Sequence, residues 1–432
     1  RELDLGVRSA GPVQPVIRSA VSGAVLAMVA CAVPVRAQQA AGEDTARLSS
    51  FTEQTTLGGS ADLPARLVAD DEVKQTLISP ILLGPWFEFK GRMNESLGFK
   101  FGINYNTLFM GVSSSLTGND NASGGVLEIN GDWTLLGRGG PNTGVLGFRL
   151  ESRHKYTDLA PNQLGAEIGS LWKPDVLWGT FDFAVSQLWW EQRFMSGKGA
   201  VRFGKLITPA VIYDNFFLRV PQLTFENETM VFSATAFPSN GLGAVAVIFP
   251  TDNLYVQGGI HDANGSPTEA GFDTFFDVRE YFVAGEIGWV SSFERRRQDN
   301  YHLTVWHTDE RSEKGTPSGW GLTVALQRYF NDRIMPFLRY SYSDGGATPM
   351  NHLMTGGIGY RVKGHNGFGV GLSWASPSDA ALRDQFGIES MYRLYLAQTV
   401  SVIPGLQFLI NPSLNPDEDV IAVLSLRVRL SI

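Results

Sequence analysis

The sequence predicts an all-β fold: a transmembrane antiparallel β-barrel of about 16 strands, with a short N-terminal periplasmic helix and inward-folded loops. Three observations carry that expectation. From Gly98 onward, apolar and polar residues alternate with period two in short runs separated by turn residues. Those runs approach the roughly 9–11 residues that a tilted membrane strand requires. Single strands also keep their charges on one face: "GFRLESRHKY" puts Arg149, Glu151, Arg153 and Lys155 in one register, opposite Phe148, Leu150 and Tyr156.

In chain order, residues 1–37 read as a signal peptide. Arg1, Arg8 and Arg18 precede the apolar run "AVLAMVACAVPV", and Val35-Arg36-Ala37 supplies a cleavage pattern before Gln38. That run is too short to span a bilayer, which takes roughly 20 residues. Acylation of Cys31 is the alternative, because "MVAC" loosely resembles a lipobox. Residues 38–80 are expected as a periplasmic lead-in, partly disordered, with weak helical patterning in "LPARLVADDEVKQTL". The barrel is assigned to 81–432 and includes a helix at 85–97, where Trp86, Phe87, Phe89, Met93 and Leu97 recur near helical spacing.

Strands are expected at roughly 99–112, 124–136, 143–156, 179–194, 199–207, 241–249, 253–261, 279–291, 300–310, 318–330, 334–343, 352–363, 366–376, 389–400, 405–411 and 419–431. "PTDN", "FNDR" and "KGHNG" are tight turns, whereas 157–178, 208–240, 262–278 and 344–351 are longer connections. Short turns alternating with long loops are the asymmetry of a barrel with two different rims. In "DVIAVLSLRVRLSI", Val420 to Ile432 alternates outward aliphatics with Ser425, Arg427, Arg429 and Ser431. Tyr156, Trp289, Trp306, Trp320, Tyr329, Trp374 and Tyr392 are placed in aromatic girdles.

Composition narrows the function classes. A formal net charge of −8, without clustered cations, argues against a nucleic-acid partner. The single cysteine excludes an internal disulfide and a Cys-based zinc cage, and no histidine falls in a metal motif, so no cofactor is expected. "HDANGS" has an oxygen-rich look but reads better as an Asx-turn than as a calcium loop. No repeat of the length of a propeller blade is present, which disfavours a soluble β-propeller.

At "QLWWEQRF" and "GAVRFGKLITPAVIYDN" the chain resembles the carbohydrate-selective porins of the OprB family, from the outer membrane of Gram-negative bacteria. "FPSNGLGAVAVIFPTDNLYVQGGIHDANG", "GFGVGLSWASP" and "IPGLQFLINPSLNPDEDVIAVLSLRVRL" extend the resemblance in order over about 98–432. The resemblance implies a 16-stranded barrel narrowed by inward-folded loops, in contact with outer-membrane lipid, that passes mono- or disaccharides. Monomer and homotrimer are both compatible with it. Two places depart from the pattern: Ile432 stands where an aromatic is usual, and "LGPWFEF" replaces a Gly-Asp-Trp-Gly-Gly stretch.

A sugar-selective constriction needs carboxylates as acceptors, guanidinium forks as donors and aromatic rings beside them. Arg149, Glu151, Arg153 and Lys155 form a charged strip, and Trp189, Glu191 and Arg193 share a parity on the following strand. Arg202 is expected in the lumen. Lys205 has the opposite parity, so either it points outward or a bulge intervenes, and it is retained on the resemblance. The aromatic-rich loop 208–240 is expected to fold inward, with Asp214 and Asn215 lining the passage. Two alternatives stand beside the sugar channel: a general porin, and a lipid hydrolase built on Ser152 and His154 of the apolar parity.

Overall fold

Sixteen antiparallel strands close into one barrel in sequential order, β1 pairing with β16. The computed structural model describes residues 62–72, 74, 76–77, 83–213 and 222–432 except 332. The expected signal peptide with Cys31, most of the lead-in, and Asp214 and Asn215 lie outside the described residues.

Among the described residues, two helices precede the barrel, α1 (Leu63–Asp71) and α2 (Gly84–Leu97). The first half of the wall is β1 (Phe99–Val112), β2 (Asn121–Leu136), β3 (Gly144–Lys155), β4 (Phe181–Phe194), β5 (Gly199–Leu206), β6 (Gly241–Ile248), β7 (Leu254–Asp262) and β8 (Tyr281–Val290). The second half is β9 (Asn300–Thr308), β10 (Gly319–Gln327), β11 (Ile334–Asp344), β12 (Met350–Lys363), β13 (Asn366–Pro377), β14 (Gln385–Ala397), β15 (Val400–Ile410) and β16 (Val420–Ser431). The seam runs from Asn104↔Ser431 to Val112↔Val423, so no strand edge is left unpaired in the membrane.

The expected strand order holds throughout, and the clearest boundary error is at β14 and β15. Pro404-Gly405 reads as a break, yet β15 runs straight through it. Pro404 pairs with Leu426 on β16, whereas the ladder to β14 passes from Met391↔Gly405 to Leu394↔Val402 without it. The missing N–H therefore falls where that ladder lapses.

The outer face is apolar. On β16, Val420, Leu424, Leu426 and Leu430 are exposed, while Ile421, Val423, Arg427 and Arg429 are buried. Tyr156, Trp289, Trp320 and Tyr392 are exposed on the outside, as the girdle requires. Trp306 is a correction: it is 1% exposed and stacks on Phe282 inside the barrel. Its neighbours Val305 and Leu303 take the outward positions instead. Tyr329 is likewise not a girdle residue, because its ring lies under Arg361 and lines an internal cleft.

The short turns, such as 195–198 and 364–365, share one rim, and the long connections 156–180 and 207–240 leave the other. The described residues of both long connections turn into the barrel. Leu164, Ile168, Trp172 and Trp178 of the first pack on Leu108, Met110 and Leu409 of the wall. Phe225 and Met230 of the second pack on Phe337, Met391 and Ile403. Such aromatics would be costly in an extracellular loop in water, and burial here accounts for them.

The second loop needs a smooth wall. A Cβ at Gly371 would lie 2.5 Å from Met230 Sδ, and one at Gly369 would lie 2.8 Å from Phe225 Cζ. Glycines on β13 therefore let this loop seat directly against the backbone.

Candidate functional site

Along β2–β5 the inward parity is a ladder of charged and amide side chains. Asn130 and Arg149 face each other across β2 and β3, and Arg149 Nε donates to Asn130 Oδ1 at 2.8 Å. Glu151 accepts from Arg153 Nε at 2.7 Å, two residues along the same face. The Arg153 guanidinium also donates to the Leu177 carbonyl at 2.6 Å and lies 4.9 Å from the Phe181 ring. On the next pair, Glu191 accepts from Arg193 at 2.8 Å and from Arg202 at 2.7 and 3.0 Å. The Arg202 guanidinium lies 4.0 Å from the Trp189 ring, which joins charge and aromatic surface in one cluster.

The ladder is not left open. Residues 62–72, from the stretch read in sequence as a lead-in, lie against the inside of the wall. Asp62 takes both terminal nitrogens of Arg202 at 2.8 and 2.9 Å. Arg66 donates to both oxygens of Glu128 at 3.1 and 2.7 Å, and Asp70 accepts two bonds from Arg429 at 2.8 and 2.7 Å. These three residues are spaced by four, so one helix turn separates each from the next and all share a face. Their partners stand on β5, β2 and β16. Leu63 and Leu67 fill the space between, in one cluster with Val145 and Trp189. The guanidinium of Arg202 holds the buried Asp62 carboxyl below the usual carboxylate range despite its desolvation, and Arg429 does the same for Asp70.

The inserted loops bring further charged groups against the inner wall. Glu226 accepts from Ser425 Oγ at 2.5 Å and pairs with Arg427 at 3.1 Å. Glu389 accepts from the backbone N–H groups of Glu226 and Asn227 at 2.8 and 3.1 Å. Asp175 of the first loop accepts from Leu177 N and Trp178 N. Burial, followed by the nearby Glu226 charge, pushes the Asp175 carboxyl up to about 7.

Most of the residues singled out from sequence face inward along this ladder, Arg149, Glu151, Arg153, Trp189, Glu191, Arg193 and Arg202, with the Glu151–Arg153 pair and the Glu191–Arg193–Arg202 group at different heights. Lys155 does not join them, because it is exposed at the rim and donates to the Asp158 carbonyl at 2.6 Å. Lys205 is also corrected. It stands opposite the outward Leu188, and its Nζ donates to the Pro267 and Glu269 carbonyls at 2.9 and 2.5 Å. Gly204, at φ +125, falls between it and Arg202 without shifting the register. Glu128, Asn130 and Asp132 were missed, although the alternation in "LEINGDW" puts them on the luminal parity.

Clefts lined by described residues lie on either side of α1. One is lined by Asp71, Lys90, Lys100, Asp132 and Arg193 below β1–β4. The other is lined by Arg66, Arg297, Tyr329, Arg361, Arg393 and Tyr395 across from it. On the lipid side, His154 accepts or donates a hydrogen bond with Tyr105 Oη at 2.8 Å and stacks on that ring. No group of His, Cys, Asp and Glu among the described residues is arranged to hold a metal.

A sequence profile of the carbohydrate-selective porin, OprB family, matches residues 161–431. The high-pH structure of OprB from Pseudomonas putida superposes with a TM-score of 0.65 at 14% identity, covering 83% of this chain and 99% of that one. The low-pH structure of the same protein gives 0.51 at 12% identity, covering 84% and 100%. At such identities the likeness is one of fold. A comparison with curated protein sequences gives no match.

Proposed function

From the premise that this chain belongs to the carbohydrate-selective porin, OprB family, we propose that it passes small sugars across the outer membrane by selective diffusion. The chain is a porin-type barrel of the Gram-negative outer membrane.

One observation carries this reading: Glu191 binds two guanidinium groups, of which Arg202 is buried against the Trp189 indole while Arg193 keeps part of its side chain exposed. A sugar presents hydroxyls that donate and accept, and C–H faces that lie on rings. Paired charges offer both kinds of hydrogen bond while cancelling most of the net field that would favour a bare ion. Arg153 and Arg193 keep part of their side chains exposed, 20% and 12%, and so stand where a solute can reach them. Asp214 and Asn215 remain assigned to the passage by sequence.

Liposome swelling tests the reading against a general porin. Saturable uptake that distinguishes stereoisomers of one mass supports it, and uptake ordered by solute size alone overturns it. We also assign the chain as a channel and not an enzyme. The porin family match and the porin-type barrel support this.

A further inference from the structure

The two clefts beside α1 differ in charge. In the one facing β12–β14, the acidic lining groups are already engaged: Asp70 is bound to Arg429, and Glu72 lies 3.3 Å from His365 Nε2. The cations are differently placed. Arg361 and Arg393 both stand opposite Gly367 on β13, one on each neighbouring strand, so a residue with no side chain separates them. Arg361 lies over the Tyr329 ring at 5.6 Å. Arg393 lies over the Tyr395 ring at 5.7 Å and donates to the His365 and Leu223 carbonyls at 3.1 and 3.5 Å. Neither has a carboxylate at ion-pair distance among the described residues. Arg297 lines the same cleft, and Arg296 adjoins it in the 291–299 turn. Burial depresses both of these guanidinium groups, to about 10 and about 9, and for Arg296 the charges of Arg297 and Arg193 add to the effect.

We propose that Arg361 and Arg393, with the rings of Tyr329 and Tyr395, form a subsite at the short-turn mouth for a monosaccharide that carries an anionic group. The row Arg361–Gly367–Arg393 spans two strand spacings, roughly 10 Å, which is the width of a pyranose with its substituents. A guanidinium fork takes a carboxylate in two parallel bonds, and the tyrosine rings offer flat surfaces for the sugar's C–H faces. The charge-paired ladder receives the hydroxyls of any sugar, and this mouth then favours the acidic ones. The inference rests on the sugar-channel reading above.

Galactose and galacturonate differ only at C6 and make the test. Influx of each radiolabelled sugar into proteoliposomes is measured at low concentration for the full chain and for R361Q/R393Q. The expected result is galacturonate influx about fivefold faster than galactose, the scale of one partly exposed charge pair, falling to parity in the variant. The charge-conserving R361K/R393K should keep most of the preference, and heat-resistant gel migration confirms that each barrel has folded. A ratio at or below one in the unmodified protein, or a ratio unchanged in R361Q/R393Q, would overturn the subsite while leaving the channel intact. No influx of either sugar would overturn the channel reading itself and the subsite with it.

Discussion

Arg202 holds Asp62 with both terminal guanidinium nitrogens, at 2.8 and 2.9 Å, and so ties the fifth strand to a residue 140 positions earlier in the chain. Both side chains are almost fully buried. Removing Asp62 leaves Arg202 paired with Glu191 alone and costs the two charge-assisted hydrogen bonds to α1, worth about 1.5–3 kcal/mol each.

The variant Asp62→Ala with Asp70→Ala should therefore detach α1 from the lumen wall. The expected outcome is a larger single-channel conductance in planar bilayers with the barrel still folded. Conductance equal to that of the unmodified protein would mean that α1 does not narrow the passage.

Glu191→Ala and Arg153→Ala address the ladder itself. Each removes charge-assisted hydrogen bonds worth about 1.5–3 kcal/mol, so sugar block of the ionic current should weaken about tenfold. Glu191→Ala should have the larger effect, since that carboxylate holds both Arg193 and Arg202. Block unchanged in both variants would place the constriction elsewhere.

Gly371→Val tests the seating of the second inserted loop. Its side chain would meet Met230 at 2.5 Å before any γ-carbon is added, and overpacking of this kind costs about 1–3 kcal/mol. The loop should become sensitive to protease in intact outer membranes while the barrel remains resistant. Equal resistance in both proteins would show that the wall yields without releasing the loop.

Asp175 gives the first loop a pH dependence. Its carboxyl titrates near 7 in place and near its ordinary 3.8 once released, so the inserted state binds more protons between those values. Insertion is therefore most favourable at the acidic end of that window and weakens as the pH rises through it, with no further change from this group above about 7. Protease sensitivity of residues 156–180 should be higher at pH 8 than at pH 5, and Asp175→Asn should flatten the profile. A profile identical in the variant would remove Asp175 as the cause.

Period-two alternation made the wall legible, because lipid outside and water inside separate the two parities of every strand. It ran out where a rule was met by its exception. Pro404 looks like a boundary and sits at a gap in one ladder. Trp306 looks like a girdle residue and is luminal, since tryptophan serves both an interface and a ring contact. The loop 208–240 was legible as inward-folded from its aromatics, but its partners were not. Contacts such as Asn227 to Gln407 join residues 180 apart and depend on closure of the whole barrel. The charges at 62, 66 and 70 carried a readable helical spacing, whereas their targets on three strands did not.

The bond between Asp70 and Arg429 also bears on how the barrel assembles. Arg429 belongs to the last strand and faces Asn106 across the seam. Asn106 in turn donates to Glu128, the carboxylate that Arg66 holds. A segment preceding the first strand thus touches both sides of the seam where the first and last strands meet. Slippage of β16 by two residues would keep every side chain on its proper face yet carry Arg429 about 7 Å from Asp70. Alternation is blind to such an error, and α1 is not: it acts as an internal gauge that distinguishes the correctly zipped cylinder from its nearest misaligned copies.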